Sequence, residues 1–216
     1  MTRLKDQKPR SASSRAWLTR QISDPYVTRA KREGLRSRAA YKLAEIDDRH
    51  KVLKAGARVV DLGAAPGGWS EIAAHRVGAK GRVIALDILD MKPIPGVEFL
   101  QLDFLEPSAP ARLKAMLGSG AAAKADVVLS DMAANATGHR QTDHLRIMAL
   151  AEAAVEFARE VLAPSGVFLC KVLQGGTEAK LLAELKREFA TVKHVKPPAS
   201  RTDSAELYLL ARGFRA

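Results

Sequence analysis

A glycine-rich turn between a predicted strand and a predicted helix constrains the fold of this chain more than any other segment. Residues 59–70 have the sequence VVDLGAAPGGWS, in which an apolar run ends in an acid and glycines precede a helix-forming stretch. Such a loop needs glycine where the backbone must turn tightly or approach a ligand that side chains would block. The segment therefore predicts an α/β fold with a small-molecule site at the carboxyl end of this strand.

The spacing of the glycines indicates which class of ligand fits the turn. A dinucleotide site has the pattern G-x-G-x-x-G, with its third glycine inside the helix and a pyrophosphate on the helix N-terminus. Here Gly63 is followed instead by Gly67 and Gly68, and Asp61 at the strand end would repel phosphates but tolerate a cation. The pattern favours a cationic cofactor without a pyrophosphate. The alternative is a tight turn whose glycines serve packing alone.

Length and composition favour one domain in the cytoplasm. A chain of 216 residues, 47% of them apolar, suits one α/β domain with a core. No apolar run approaches the roughly 20 residues of a membrane span, and no hydrophobic signal core follows Met1, so we expect no membrane segment. The single cysteine, Cys170, cannot form an internal disulfide. The five histidines are not spaced with cysteine or acids as metal ligands are, so no metal site is predicted.

The net charge of +11 indicates a polyanionic partner, and nucleic acid is the first candidate. Ten cationic residues precede residue 37, against three acids. We therefore predict that residues 1–36 form a basic N-terminal arm, partly disordered or in contact with RNA, ahead of a domain at 37–216. A transit peptide or a disordered tail is the alternative. Arg36, Arg38 and Arg201 are expected to join the arm in binding phosphates.

Apolar runs alternate with helical periodicity along the rest of the chain. The predicted strands are 58–62, 82–87, 97–102, 126–131, 166–173, 191–195 and 206–211. The predicted helices are 37–50, 69–77, 109–117, 142–162 and 177–189. Strands separated by helices predict a doubly wound, mostly parallel seven-stranded sheet, a Rossmann-like arrangement that binds ligands at the carboxyl ends of its strands.

Acidic residues collect at that predicted edge. Asp61, Asp87 and Asp131 each end an apolar strand, and Asp103 follows another. Asp87 comes 20 residues after Gly67, the distance at which nucleotide-binding α/β folds place a carboxylate on ribose hydroxyls. Each acid alone is usually a helix cap or a turn residue. Four at one edge predict a slot for a cationic, adenosine-containing cofactor, and S-adenosyl-L-methionine (SAM) meets that description.

Lys171 interrupts an otherwise apolar strand at 167–173. Burying an ammonium group is costly without a partner, so this lysine needs an acid or a chemical task. Asp131 would lie at the end of the neighbouring strand, and Glu206 begins the last one. If the last strand is antiparallel, the three side chains converge at one edge of the sheet. A purely structural ion pair is the alternative.

Five stretches of the chain, in order, resemble the FtsJ/RrmJ (RlmE) family of large-subunit ribosomal RNA 2′-O-ribose methyltransferases. The stretches are GLRSRAAYKL at 34–43, DLGAAPGGWS at 61–70, SDMA at 130–133, CKV at 170–172 and SAE at 204–206. The resemblance implies the SAM-dependent methyltransferase fold, with the last strand antiparallel. It implies a catalytic tetrad of Lys42, Asp131, Lys171 and Glu206. It also implies cofactor contacts at Gly67, Trp69, Asp87, Asp103 and Asp131, to which the glycine-loop argument adds Asp61 and Gly63.

The reaction that the resemblance implies is direct methyl transfer to the 2′-hydroxyl of a uridine in 23S-type ribosomal RNA. We expect the RNA to be bound within the large ribosomal subunit, and the protein to be a monomer without an obligate protein partner. Lys171 is the expected base, because a ribose hydroxyl is a poor nucleophile until its proton begins to leave. Like-charge repulsion from Lys42 is expected to lower the pKa of Lys171, while Asp131 and Glu206 oppose that shift.

Other functions stay open at this point. A transfer RNA or a messenger RNA cap is an alternative substrate, and a non-catalytic RNA-binding ribosome assembly factor is an alternative class. The missing third glycine and the lack of a Tyr-x-x-x-Lys pair argue against a nicotinamide-dependent oxidoreductase. One position departs from the family: Ala134 replaces a proline before Asn135, which removes a restraint on φ in the loop that follows.

Overall fold

The computed structural model describes residues 24–134, 137–174 and 179–215. The strands in these ranges are β1 (Arg58–Leu62), β2 (Arg82–Asp87), β3 (Val97–Gln101), β4 (Ala125–Ser130), β5 (Leu162–Leu173), β6 (Phe189–Val195) and β7 (Glu206–Phe214). The helices are α1 (Pro25–Glu33), α2 (Ala39–His50), α3 (Gly68–Val77), α4 (Ala109–Leu117), α5 (Arg140–Val161) and α6 (Ala179–Glu188), with a 3₁₀ turn at Gly120–Ala123.

The strands form one sheet in the order β3-β2-β1-β4-β5-β7-β6. Neighbouring strands pair in parallel except at β7, which is antiparallel to both β5 and β6. The predicted fold class, including the antiparallel last strand, is confirmed. The strand order reverses direction between β1 and β4, and in doubly wound sheets a crevice opens at the carboxyl ends of such a pair.

Helices cover both faces of the sheet. On one face α2 and α3 contribute Leu43 and Trp69 to a cluster of buried apolar side chains. On the other face α4, α5 and α6 contribute Leu113, Phe157 and Leu185 to a second cluster. The two successive valines of β1 belong to opposite clusters, which explains why a strand buried on both faces has an unbroken apolar sequence.

Helix α1 lies inside the segment predicted to be an arm, and it packs against the domain. Asp24 caps its start by accepting a hydrogen bond from the backbone N–H two residues on, at 3.0 Å, and Gly34 ends it with φ at 74°. Ala30 is buried against Tyr41 and Ala199. The charged sequence gave no sign of this helix because only a narrow face of it is apolar. Six of the ten cations of the predicted arm fall in residues 1–23, outside the described residues.

The glycine-rich loop after β1 is held between β2 and the loop that follows β4. The N–H of Gly63 donates to the carbonyl of Leu86 at 2.9 Å, and Gly63 has φ at +79°. A Cβ at Gly63 would lie 2.7 Å from the Cα of Met132, closer than any real side chain approaches. Gly67 has φ at 107° and precedes α3. Backbone conformation and close approach both require glycine at position 63.

The two requirements at Gly63 can be separated with Gly56, which has the same φ of +79° but open space around a Cβ. We expect Gly56→Ala to lower the free energy of unfolding by about 1–2 kcal/mol, the usual cost of a left-handed alanine. Gly63→Ala should cost at least about 3 kcal/mol, because the Met132 backbone must also shift. Urea denaturation of both variants checks this expectation. Equal losses would contradict the close approach.

Candidate active site

The four predicted catalytic residues converge at the carboxyl edge of the sheet from four different elements. Lys171 lies on β5 and Asp131 directly follows β4, and the Lys171 ammonium is 2.8 Å from a carboxylate oxygen of Asp131. Lys42 lies on α2 and Glu206 begins β7, and their nitrogen and oxygen are 2.7 Å apart. Both lysine side chains are 11% exposed and both acids 16%. The site therefore consists of two adjoining, largely buried ion pairs.

The antiparallel register of β7 brings this group together. Leu173 of β5 lies opposite Glu206, and Lys171 lies opposite Tyr208. Residues two apart on a strand share a face, so Tyr208 follows Glu206 into the site. Its hydroxyl donates a hydrogen bond to Asp131 at 2.9 Å. Tyr208 was not among the residues predicted from the sequence, although a phenol two residues after a candidate acid in an apolar strand was a usable signal.

The electrostatics of Lys171 differ from the expectation of a lowered pKa. Burial opposes the ammonium charge, but the carboxylates of Asp131 and Glu206 outweigh it and raise the pKa of Lys171 above its ordinary value. The ammonium also donates to the backbone carbonyl of Asp131 at 2.8 Å. Lys42 pairs with Glu206, one of the two acids that raise this pKa. Lys171 is therefore an ammonium group in the resting protein.

Glu206 is held as a carboxylate by the groups around it. Burial alone would raise its pKa, but the ammonium groups of Lys42 and Lys171 and a hydrogen bond from Ser200, at 2.8 Å, lower the pKa of Glu206. This carboxylate can fix the position of a lysine nitrogen.

A cavity of about 560 Å³ opens beside the tetrad, at the crevice that the strand order predicts. Four of the seven predicted cofactor residues line it: Gly63, Asp87, Asp103 and Asp131. Asp87 accepts hydrogen bonds from two backbone N–H groups of neighbouring loops, each at 2.8 Å, and Asp103 accepts one at 2.9 Å. Asp131 belongs both to the cavity and to the tetrad.

The other three predicted cofactor residues do not line this cavity. Asp61 is fully buried beneath the glycine-rich loop, where Ser70 donates to one of its oxygens at 2.6 Å. Trp69 is 2% exposed and packs against Tyr208, with ring centroids 5.4 Å apart. Gly67 packs against the side chain of Ile94 and its neighbours. These residues shape the loop, and their contact with a cofactor stays a prediction.

The residues that line the cavity fit a cationic, adenosine-containing molecule. Asp87 and Asp103 have no ion-pair partner among the described residues, so their carboxylates are available to hydroxyl groups or to a cation. The exposed apolar side chains of Ile88, Leu89 and Leu105 line the same cavity and offer surface to a flat base. Asp131 adds negative charge where the cavity meets Lys171. Arg146 also lines the cavity, but the three carboxylates outnumber it and would repel a pyrophosphate.

The described ranges hold neither a metal-binding cluster nor a membrane-spanning helix. No cluster of three or more histidines, cysteines or acids there could hold a metal ion. No helix within those ranges is long and apolar enough to cross a bilayer.

The arginines predicted to bind phosphates are engaged inside the protein. Arg36 donates to the backbone carbonyls of Lys92 at 2.8 Å and Pro93 at 2.6 Å, beside the glycine-rich loop. Arg38 and Arg201 form ion pairs with one buried acid, Asp24, at 2.9 and 3.0 Å. In this structure these guanidinium groups therefore hold protein segments together. Their binding to RNA stays a prediction.

The loop after β4 is described only in part. Ala134, which stands where the family has proline, lines the cavity. Asn135 lies outside the described residues, as does the next residue. Farther along, Asp143 accepts hydrogen bonds from the hydroxyl and the N–H of Thr137 at 2.6 and 2.7 Å, which ties this loop to the start of α5.

Comparison with known sequences places this geometry in context. The model of a family described as FtsJ-like methyltransferase matches residues 35–214. The chain is 63% identical over 216 residues to Ribosomal RNA large subunit methyltransferase E of Xanthobacter autotrophicus, an alignment that covers 99% of this chain and 84% of the relative. A Rhodopseudomonas palustris protein of the same name is 64% identical over 206 residues, covering 94% of this chain and 85% of the relative.

Solved structures give a consistent comparison. A Plasmodium falciparum protein described as a ribosomal RNA methyltransferase superposes with a TM-score of 0.73 at 31% identity, covering 83% of this chain and 98% of the other. A Clostridium thermocellum protein described as an rRNA methylase superposes with a TM-score of 0.52 at 17% identity, covering 80% of this chain and 97% of the other. The second comparison shows a shared fold alone.

The buried acid under the glycine-rich loop makes stability depend on pH. Burial, reinforced by Asp131 and Asp87, raises the pKa of Asp61 to about 7, although the hydrogen bond from Ser70 opposes the shift. An unfolded chain loses this proton near its ordinary pKa of 3.8, whereas the folded protein keeps it until about pH 7. The associated stability is therefore present at low pH and is lost as pH rises through that window.

We expect Asp61→Asn to remove this dependence. Relative to the variant, the wild-type protein should lose up to about 4 kcal/mol of unfolding free energy as pH rises through this window, and little more above it. Urea titrations of the ligand-free proteins at several pH values measure the difference. A difference that is constant with pH would refute the assignment.

Proposed function

The chain belongs to the FtsJ-like methyltransferase family, and from that premise we propose that it methylates the ribose 2′-hydroxyl of a uridine in large-subunit ribosomal RNA, using SAM. It acts as a monomer in the cytoplasm. The observation that carries the proposal is the pair of buried lysine–carboxylate contacts that adjoins the acid-lined cavity at Asp131. The names of the relatives support the substrate, and the net charge of +11 suits a polyanion.

The cavity side chains would hold the cofactor by charge and by hydrogen bonds. Asp87 and Asp103 offer carboxylate oxygens to sugar hydroxyls, and Asp131 offers its charge to a cationic group. When bound, SAM supplies a methyl group made electrophilic by its sulfonium sulfur. The chain itself then needs to place a ribose hydroxyl and to remove its proton.

Lys171 is the group that takes this proton. Its raised pKa means that the resting ammonium must first lose a proton. A cationic molecule in the cavity would compete with Lys171 for the carboxylate of Asp131, which weakens the interaction that holds the proton on the lysine. Once Lys171 has released its resting proton to solvent, the unprotonated amine would accept the hydroxyl proton while the ribose oxygen takes the methyl group, whose bond to sulfur breaks and leaves a neutral thioether.

The other members of the tetrad, together with Tyr208, position the reacting groups. Glu206 holds Lys42 through one ion pair, and Tyr208 fixes the Asp131 carboxylate by a hydrogen bond. The remaining positive charge of Lys42 favours an anionic substrate nearby. An ion-pair network alone, in a non-catalytic assembly factor, would not require the network to adjoin an acid-lined cavity.

Methyl transfer from labelled SAM tests the proposal directly. The full chain should incorporate label into large-subunit ribosomal RNA or into isolated large subunits. Nuclease digestion and mass spectrometry should locate the label on the ribose of one uridine. Label found on a base, or only on transfer RNA or on capped messenger RNA, would overturn the assignment of the substrate, and no incorporation into any of them would overturn the activity.

Replacement of Lys171 tests its role as base. Lys171→Ala should slow single-turnover transfer by about 10²- to 10⁴-fold without weakening cofactor binding, since general-base help has that magnitude. Lys171→Arg is the matched control, because a guanidinium keeps the charge beside Asp131 but cannot act as a base. We expect it to be equally slow.

The wild-type rate should rise about tenfold per pH unit between about pH 7 and pH 9, because only the unprotonated fraction of Lys171 reacts. Rapid-quench measurements over this range provide both the rates and the slope. An active arginine variant, or a flat profile, would show that the ammonium acts electrostatically.

A further inference from the structure

Asp24 lies outside every sequence motif described above, yet its side chain is only 6% exposed. One of its oxygens caps α1, at 3.0 Å from a backbone nitrogen. The other is 2.9 Å from a guanidinium nitrogen of Arg38 and 3.0 and 3.1 Å from two nitrogens of Arg201, which is 177 positions away in the chain. A single carboxylate thus pairs with two guanidinium groups from distant segments.

Each of these two arginines lies beside one half of an active-site ion pair. Arg38 is the residue that caps the start of α2, and it precedes Lys42 by about one helical turn. Arg201 directly follows Ser200, whose hydroxyl donates to Glu206 at 2.8 Å. The shared carboxylate therefore links the helix that carries the lysine to the loop that orients the glutamate.

Further bonds make α1, α2 and this loop one connected unit. Arg38 donates to the backbone carbonyl of Ala199. The N–H of Ala199 donates to one oxygen of Glu45 on α2 at 2.6 Å, and the hydroxyl of Tyr26 on α1 donates to the other at 3.1 Å. The contacts around Asp24 thus join α1, α2 and this loop, whose relative positions set the distance between Lys42 and Glu206.

We propose that Asp24 is a positioning residue for methyl transfer, holding α2 and the 199–205 loop at the separation at which Lys42 and Glu206 pair. The inference rests on the proposed function, because it assigns a role in that reaction to α1. Without the carboxylate, the guanidinium groups of Arg38 and Arg201 face each other unneutralised in a largely buried site and repel. The two segments then separate.

The variant Asp24→Asn distinguishes positioning from simple helix capping. Asparagine caps a helix as well as aspartate does and has the same shape, so only the negative charge is lost. If Asp24 only starts α1, this variant should behave as the wild type.

Asp47→Asn is the matched control on the same helix α2. Asp47 is 2% exposed, accepts a backbone N–H of Leu53 at 2.8 Å and lies 3.4 Å from the guanidinium of Arg76. The change removes the same charge from an equally buried, arginine-paired acid, but at the end of α2 away from Lys42. It controls for a general loss of stability.

Single-turnover transfer at saturating RNA and SAM gives the first readout. We expect Asp24→Asn to slow transfer by about 10- to 100-fold, as small misplacements of reacting groups do, with cofactor affinity within about twofold. Asp47→Asn should transfer at the wild-type rate. In a Lys42→Ala background, Asp24→Asn should cause no further loss, because the residue acts through that lysine.

Labelling of lysines with an acetylating ester, followed by mass spectrometry, gives a readout that does not depend on activity. Lys42 is 11% exposed and ion-paired, so it should react slowly in the wild type. Asp24→Asn should raise its labelling several-fold, and Asp47→Asn should not. If the wild type transfers no methyl group, the proposed function fails while the labelling still tests the link between Asp24 and Lys42.

Unchanged transfer and unchanged labelling in Asp24→Asn would overturn the inference, and so would equal effects in Asp24→Asn and Asp47→Asn. Should Asp24→Asn fail to fold, Arg201→Lys is the second variant. Arg201 is 32% exposed, so the change is tolerable, and lysine keeps the charge but loses the contact of two nitrogens with Asp24. A smaller slowing and a smaller rise in Lys42 labelling are expected there, because only the two-nitrogen contact is lost, and wild-type behaviour would overturn the inference.

Discussion

Two ammonium groups buried at one edge of a sheet can be held only by carboxylates that face them, and this requirement organises the rest of the structure. Lys171 pairs with Asp131, which follows the end of the adjacent parallel strand. Lys42 pairs with Glu206, which lies at the same edge because β7 is antiparallel to β5. A parallel last strand would place that acid at the opposite edge and leave a buried lysine unpaired.

The shared carboxylate of Asp131 joins two functions that would otherwise be separate. It lines the cavity, pairs with Lys171 and accepts the hydrogen bond of Tyr208. A charged molecule in the cavity therefore changes the pKa of Lys171. The raised pKa of Lys171 is then a property of the resting protein, and a cation in the cavity opposes it.

The chain indicated its fold and most of its candidate site because these depend on local patterns. Buried parallel strands have unbroken apolar sequences, and acids at the ends of such strands meet at one edge of the sheet. Tyr208 and Asp24 were missed for different reasons. Tyr208 faces the site only because of the register of β7, which the sequence does not specify. Asp24 is one acid among many cations in the sequence, and its contact with Arg201, 177 positions away, is visible only in the folded protein.

The sequence by itself determined the alternation of strands and helices, the glycine turn, the acids at the strand ends and a lysine in an apolar strand, since each is a matter of neighbouring residues. Only the tertiary structure decided which charges neutralise each other. It joined Arg38 and Arg201 to a buried acid, buried Asp61 beneath its loop and left Asp87 and Asp103 lining the cavity. The physical reason is that pairing and burial of charges depend on distance in space, which residue order does not contain.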